Sequence, residues 1–189
     1  MVGHAYLISL LKPKLLAQSH PSRIVLLSSL AHKMGTIICE NLHFDPAKKR
    51  PYKPWDAYGQ SKLANLLWAK TLADEFKGTQ VLAASVHPGV IQTNLVRHIS
   101  ALQWPILGTL STWLFSMLVC DKNIPQGAAT TIYAALAPDT EEIRGAYLAD
   151  CAIVVPTEEG QDATGANRAA LKKQTDLELS AALAKSNLL

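Results

Sequence analysis

The chain has 189 residues, 49% of them apolar and 17% charged, and a formal net charge of +3. That length fits one domain, and so large an apolar share supplies a core and excludes wholesale disorder. The one dense basic run, Lys48-Lys49-Arg50, lies between Pro46 and Pro51 with no aromatic or basic face beside it, so it reads as a solvated loop and not as a nucleic-acid surface.

Cys39, Cys120 and Cys151 are far apart and form no CxxC pair. They predict free thiols in a reducing compartment, neither a disulfide framework nor a zinc site. The histidines at 4, 20, 32, 43, 87 and 98 show no metal-ligand spacing. The opening Met1-Val2-Gly3-His4 lacks the basic-then-apolar design of a signal peptide.

In chain order, residues 4–18 carry Tyr6, Leu7, Leu10, Leu11 and Leu15 at helical spacing, with Pro13 inside the pattern, where a kink or break is expected. After the turn Ser19-His20-Pro21-Ser22, the unbroken run Arg23-Ile24-Val25-Leu26-Leu27 predicts a strand buried on both faces, as in a parallel sheet. It ends in Ser28-Ser29. Ligands in open α/β sheets sit beyond the carboxyl ends of strands, so these serines are placed for function, although Ser-Ser also ends strands for simple turn reasons. Residues 30–54 read as a loop excursion, with Gly35, Pro46, Pro51 and Pro54.

A helix then runs to about Phe76 with a broad apolar stripe, Leu63, Leu66, Leu67, Ala69, Leu72 and Ala73, closed by Lys77-Gly78. It carries Tyr58 and Lys62 four positions apart, on one face and one turn from each other. An ammonium beside a phenol favours its phenolate form, and such a phenol can give or take the proton of an alcohol. Alone, the pair is also what an ordinary exposed helix can carry. Val81–His87 predicts a second buried strand, so strand, helix and strand make a βαβ unit with a right-handed crossover. Pro88-Gly89 follows, a tight backbone able to approach a flat ligand.

Residues 99–120 contain no charged residue but do contain Trp104, Trp113 and Phe115. Gln103, Pro105 and Gly108 weaken a membrane span. An apolar lid over a substrate cleft fits better, with a plain core or interface helix as the alternative. A further helix is expected from Pro125 to Leu136. A turn at 145–150, a third strand at 151–156 and a last helix near 167–184 with a thin apolar stripe complete the chain.

Ser29, then Tyr58 with Lys62, then His87-Pro88-Gly89, fall in order about thirty residues apart. This set, with Ser28-Ser29-Leu30-Ala31-His32, Ser61-Lys62-Leu63-Ala64-Asn65 and His87-Pro88-Gly89-Val90, resembles the second half of a short-chain dehydrogenase/reductase of the retinol-dehydrogenase and WW-domain-oxidoreductase type. The resemblance covers nearly the whole chain and is weakest after residue 156. It implies the C-terminal part of a Rossmann-like, doubly wound α/β parallel sheet, with residues 1–156 a partial NAD(P)-binding domain and 157–189 a polar linker and helix. It implies Tyr58 as general acid/base, Lys62 supporting it and holding the nicotinamide ribose, and Ser29 bonding the substrate oxygen. Pro88, Gly89, Val90 and Thr93 would lie along the nicotinamide, and 95–120 would cover a lipophilic alcohol, aldehyde or ketone. The branch leans to NADP over NAD. A cytoplasmic place, with peripheral contact at the endoplasmic reticulum membrane and self-association, is compatible with it.

The departure is at the front. No G-x-x-x-G-x-G or G-x-G-x-x-G turn occurs anywhere, so the pyrophosphate-binding βαβ unit of such folds is missing. Gly3-His4 match the glycine and histidine that follow the family's catalytic asparagine, whose place falls just before Met1. The expectation is an N-terminally truncated fold with an open sheet edge at the Arg23–Ser29 strand. The contrasting expectation is a non-catalytic interaction or membrane-surface module. A serine hydrolase is disfavoured, because Leu63 stands where G-x-S-x-G around Ser61 needs glycine.

Overall fold

A computed structural model describes residues 2–91, 122–138 and 141–186. The elements are α1 (Val2–Leu16), β1 (Ser22–Leu27), α2 (Pro54–Glu75), β2 (Val81–His87), α3 (Ile124–Leu136), β3 (Tyr147–Ala149), β4 (Ala152–Ile153), α4 (Glu158–Gln161) and α5 (Ala166–Ser186). Three short 3₁₀ turns, Leu30–Met34, Cys39–Asn41 and Pro46–Lys48, fold the excursion between β1 and α2. The strands form one sheet in the order β1-β2-β3-β4. β1 pairs in parallel with β2, β2 in parallel with β3, and β4 runs antiparallel to β3.

The alternation of β1 and β2 builds a three-layer sandwich. Ile24, Leu26, Val81 and Ala83 face α2 and α1, where they meet Trp68, Ala69, Leu72, Phe76 and Ala5. Val25, Ala84, Val86 and Leu148 face α3 through Ala134 and Ala137. Arg23 points the same way, and its guanidinium donates to the carbonyls of Ala134 (3.1 Å) and Ala137 (2.6 Å), which satisfies the end of α3. At the other end of α3, Asn123 and Gln126 bond each other reciprocally at 2.9 Å in a capping box. Because β2 is buried on both faces, its apolar run is continuous rather than alternating.

α2 is the central helix. Leu63, Leu66, Leu67 and Ala69 have no exposed surface. One side lies on the sheet. Leu171 of α5 and Tyr147 of β3 join one cluster with Leu63, Leu66 and Leu67, so the C-terminal helix docks on the same core. α1 continues through Pro13, which offers no N–H to the preceding turn.

One expectation is corrected. The third strand is not 151–156: Tyr147 and Leu148, at 4% and 0% exposure, pair with β2 instead. Asp150 and Cys151 then adopt positive φ (52° and 58°) and reverse the chain into β4, which leaves Val154 and Val155 exposed. A two-residue turn with two positive φ values suits the hairpin twist, but its usual residues, Asn-Gly or Asp-Gly, are not the ones present.

Candidate active site

Since β1 and β2 are parallel, their carboxyl ends lie together. Ser28 and Ser29 follow β1, and His87-Pro88-Gly89 end β2. The Ser28 N–H donates to the Val86 carbonyl at 2.8 Å, and the Leu30 N–H donates to His87 Nδ1 at 3.3 Å. His87 therefore ties the two strand ends. Ser29 caps the 3₁₀ turn that follows it: its Oγ accepts from the Ala31 N–H at 3.2 Å.

The first turns of α2 cross this end. A Cβ on Gly35 would lie 2.3 Å from the Gly59 carbonyl oxygen, and one on Gly59 would lie 2.9 Å from the Ala31 oxygen. Only glycine at both places lets the turn after Ser29 touch the helix directly behind Tyr58. Ser28 Oγ donates to the Lys62 carbonyl at 2.8 Å. The Leu27 carbonyl accepts twice, from Asn65 Nδ2 at 2.9 Å and from Lys62 Nζ at 3.3 Å. Lys62 Nζ also stands 5.5 Å from the centre of the Tyr58 ring, which meets Trp55 edge-on at 6.2 Å. Tyr58, Lys62 and Ser29 are all half-buried. Burial pulls the Lys62 ammonium below the usual lysine range.

Pro88, Gly89 and Val90 are half-buried at the same end, and Gly89 has φ 89°. The open side of Gly89 is taken by Lys122, whose Cδ lies 2.4 Å from the position a Cβ would occupy. Lys122 pairs with Asp150, which holds that carboxyl below its ordinary value, and Ile91 bridges to Lys122 in parallel. Thr93 and the segment 95–120 lie outside the described residues.

Three of the seven expected residues, Ser29, Tyr58 and Lys62, thus share one strand end, and Pro88, Gly89 and Val90 flank it. A nicotinamide ribose asks for hydrogen-bond donors beside a proton carrier. Lys62 fits, because among the described residues its three-donor ammonium makes one long hydrogen bond. For the pyrophosphate, the described residues offer no glycine-rich turn at a helix N-terminus.

Asn65 and the Gly35–Gly59 contact are not among the expected site residues. Asn65 is one turn from Lys62 on the same face, so helical geometry could have found it. The glycine contact joins residues 24 apart through a loop, and no local pattern announces it. A cavity of about 920 Å³ lies at the opposite end of the sheet, lined by Lys70, Asp74, Arg144, Asp162 and Arg168. Its charges serve the fold: Arg168 pairs with Asp74 (2.7 Å) and Asp162 (3.1 Å), Arg144 with Glu141 (2.9 Å), and Lys70 donates to the Gln161 carbonyl (2.8 Å).

A hydroxyl, a phenol and an ammonium thus lie at the strand ends of a mostly parallel sheet in an α/β fold. No protein-family model matches the chain. It is 41% identical over 174 residues to the short-chain dehydrogenase TIC 32 A, chloroplastic, of Brassica napus, covering 88% of this chain and 52% of that protein. It is 40% identical over 167 residues to retinol dehydrogenase 11 of Homo sapiens, covering 88% and 48%. Against retinol dehydrogenase 14 of Mus musculus it is 40% identical over 152 residues, covering 79% and 42%. A crystal structure of an uncharacterised protein from Mycobacterium paratuberculosis superposes with a TM-score of 0.61 at 28% identity, covering 93% of this chain and 56% of that one. The chain belongs to the short-chain dehydrogenase/reductase family, and its relatives there include retinol dehydrogenases. It spans about half the length of the curated relatives it matches.

Proposed function

We propose that this site carries out the NAD(P)-dependent interconversion of an alcohol and a carbonyl on a lipophilic substrate. Tyr58 is the general acid/base. Lys62 steadies the charge Tyr58 carries once its proton has left, and it holds the nicotinamide ribose. Ser29 bonds the substrate oxygen, with Pro88, Gly89, Val90 and Thr93 along the nicotinamide. Bound NAD(P) supplies the hydride chemistry. The chain's own residues orient the carbon that reacts and move one proton at the Tyr58 hydroxyl. The observation that carries this reading is the Lys62 ammonium, lodged between the Leu27 carbonyl and the Tyr58 ring at the strand end that bears Ser29. The lipophilic substrate rests on the apolar 95–120 segment and on relatives named retinol dehydrogenases. The leaning to NADP rests on the branch resemblance.

The test is reduction of lipophilic and short-chain aldehydes with NADPH and with NADH, beside Tyr58→Phe. Loss of a general acid/base is expected to cost about 10²–10⁴-fold. Full activity in Tyr58→Phe removes Tyr58 from the reaction.

One observation favours a second reading, an interaction or membrane-surface module. β1 has no second neighbour among the described residues, its own Leu27 is 47% exposed, and Leu7, Leu10 and Leu16 of α1 are 46–59% exposed. No helix among the described residues is long and apolar enough to cross a membrane. Sedimentation and liposome flotation decide: a monomer indifferent to lipid ends this reading.

A further inference from the structure

His32 sits three residues beyond Ser29 and is 1% exposed. A buried imidazole needs partners for both ring nitrogens, and here each partner has a fixed chemical role. Nδ1 lies 2.8 Å from the Ser29 carbonyl oxygen, which can only accept, so Nδ1 carries the proton. Nε2 lies 3.5 Å from the Thr157 backbone N–H, which can only donate, so Nε2 is bare. The ring is thereby neutral and in its Nδ1–H form. The edge of Tyr147 closes on it at 4.9 Å. The same Ser29 carbonyl also accepts from the His32 backbone N–H at 3.0 Å.

We propose that His32 is a positioning residue for Ser29. Its Nδ1–H and backbone N–H clamp the Ser29 carbonyl, which fixes the peptide on which the Ser29 hydroxyl is carried, while its Nε2 anchors that turn to the segment entering α4. The inference deepens the proposed function, in which Ser29 meets the substrate oxygen, but the clamp is measurable whether or not Ser29 does so. Burial supports the neutral ring by holding the imidazole below its ordinary range. Of the charged neighbours, Lys33 acts in the same direction, and Glu159, from α4, acts against it. Tyr147, from β3, stays a neutral phenol, pushed up to about 12 by burial.

The test is long-range ¹⁵N–¹H spectroscopy of the 189-residue chain labelled at histidine, with amide exchange measured at Ala31, whose N–H bonds Ser29 Oγ. The wild-type spectrum is expected to show His32 neutral and protonated on Nδ1 at pH 7, whereas free histidine prefers Nε2–H. His32→Asn keeps a donor at the Nδ1 position, and His32→Leu keeps only the bulk. Loss of one net hydrogen bond is expected to speed Ala31 exchange about fivefold in the leucine variant relative to the asparagine variant. A ring protonated on Nε2, or equal exchange in the two variants, overturns the clamp and leaves packing as the only role. Separately, Ser29→Ala with unchanged turnover would overturn the role of Ser29 while leaving the clamp standing. If His32→Leu does not fold, the wild-type tautomer alone decides.

Discussion

The Leu27 carbonyl is the pivot of the site. Lys62 and Asn65 both donate to it, and the shorter bond belongs to Asn65. Asn65 is 6% exposed, so removing its amide takes away a buried bond that also limits how tightly the carbonyl draws on the ammonium. Asn65→Ala is expected to cost about 1–3 kcal/mol in chemical denaturation, and to lower kcat more than it raises KM, because Lys62 moves toward Leu27 and away from Tyr58. A loss confined to KM would contradict that placement. His32 gives a second residue-scale expectation. Its folded-state affinity for a proton is lowered from the ordinary 6.5, so the unfolded chain binds protons that the folded ring refuses. Its contribution to stability is complete above about 6.5 and is lost as the pH falls from there through the lowered value. Urea midpoints at pH 7 and pH 5 should therefore differ by less in His32→Asn, which has no ring to titrate, than in wild type.

Among the elements, α2 holds the rest in place, and its packing on the turn after Ser29 admits no side chain. Gly59→Ala would put a methyl 2.9 Å from the Ala31 oxygen and 2.9 Å from the Gly35 nitrogen, both backbone atoms. The turn must shift, and Ser29 shifts with it. The expected result is a large loss of turnover with the core intact, readable as preserved far-UV circular dichroism. Wild-type turnover in Gly59→Ala would show that the contact does not set the site. Much at this scale was legible beforehand. The apolar run 81–86 is buried on both faces, as an unbroken apolar strand must be, and Pro125 opens α3 where a first-turn proline belongs, but the branched run before Ser28 is only half-buried and ends in Leu27 at 47% exposure, against the expectation of a strand buried on both faces. The hairpin at Asp150-Cys151 was not legible, because Cys151 stands at a positive φ where glycine is usual. What holds that turn is tertiary: the Cys151 N–H donates to Thr130 Oγ1 at 3.2 Å, from α3. Val154 and Val155 look like strand residues, and the Val154 N–H donates to the Tyr147 carbonyl at 2.9 Å, yet both side chains stay exposed.

Among the described residues, one side of the molecule is sealed and one sheet edge is open. The core faces of α2 and β2 are sealed, while β1 ends the sheet among the described residues and Ala5, 5% exposed, is the one fully buried residue of α1. Ser29, Tyr58 and Lys62 could be picked out of the sequence because short motifs set the local geometry. The glycine contact could not, because it depends on where the 30–54 excursion lands, nor could the bond between Thr157 and His32, which joins residues 125 apart. Among the described residues no glycine-rich turn offers the adenosine half of a dinucleotide a phosphate cradle. Titration calorimetry of the chain with NADPH and NADH is expected to show weak binding, and micromolar affinity at one site per chain would contradict that. The same chemistry can still be tested at high cofactor concentration. The most direct measurement is transfer of deuterium from C4-deuterated NADPH, at millimolar concentration, to the carbonyl carbon of a lipophilic aldehyde, followed by mass spectrometry for wild type and Tyr58→Phe. Label in the alcohol formed by wild type and its near absence with Tyr58→Phe is the predicted result. Equal labelling by both proteins, or none by wild type, would contradict the account.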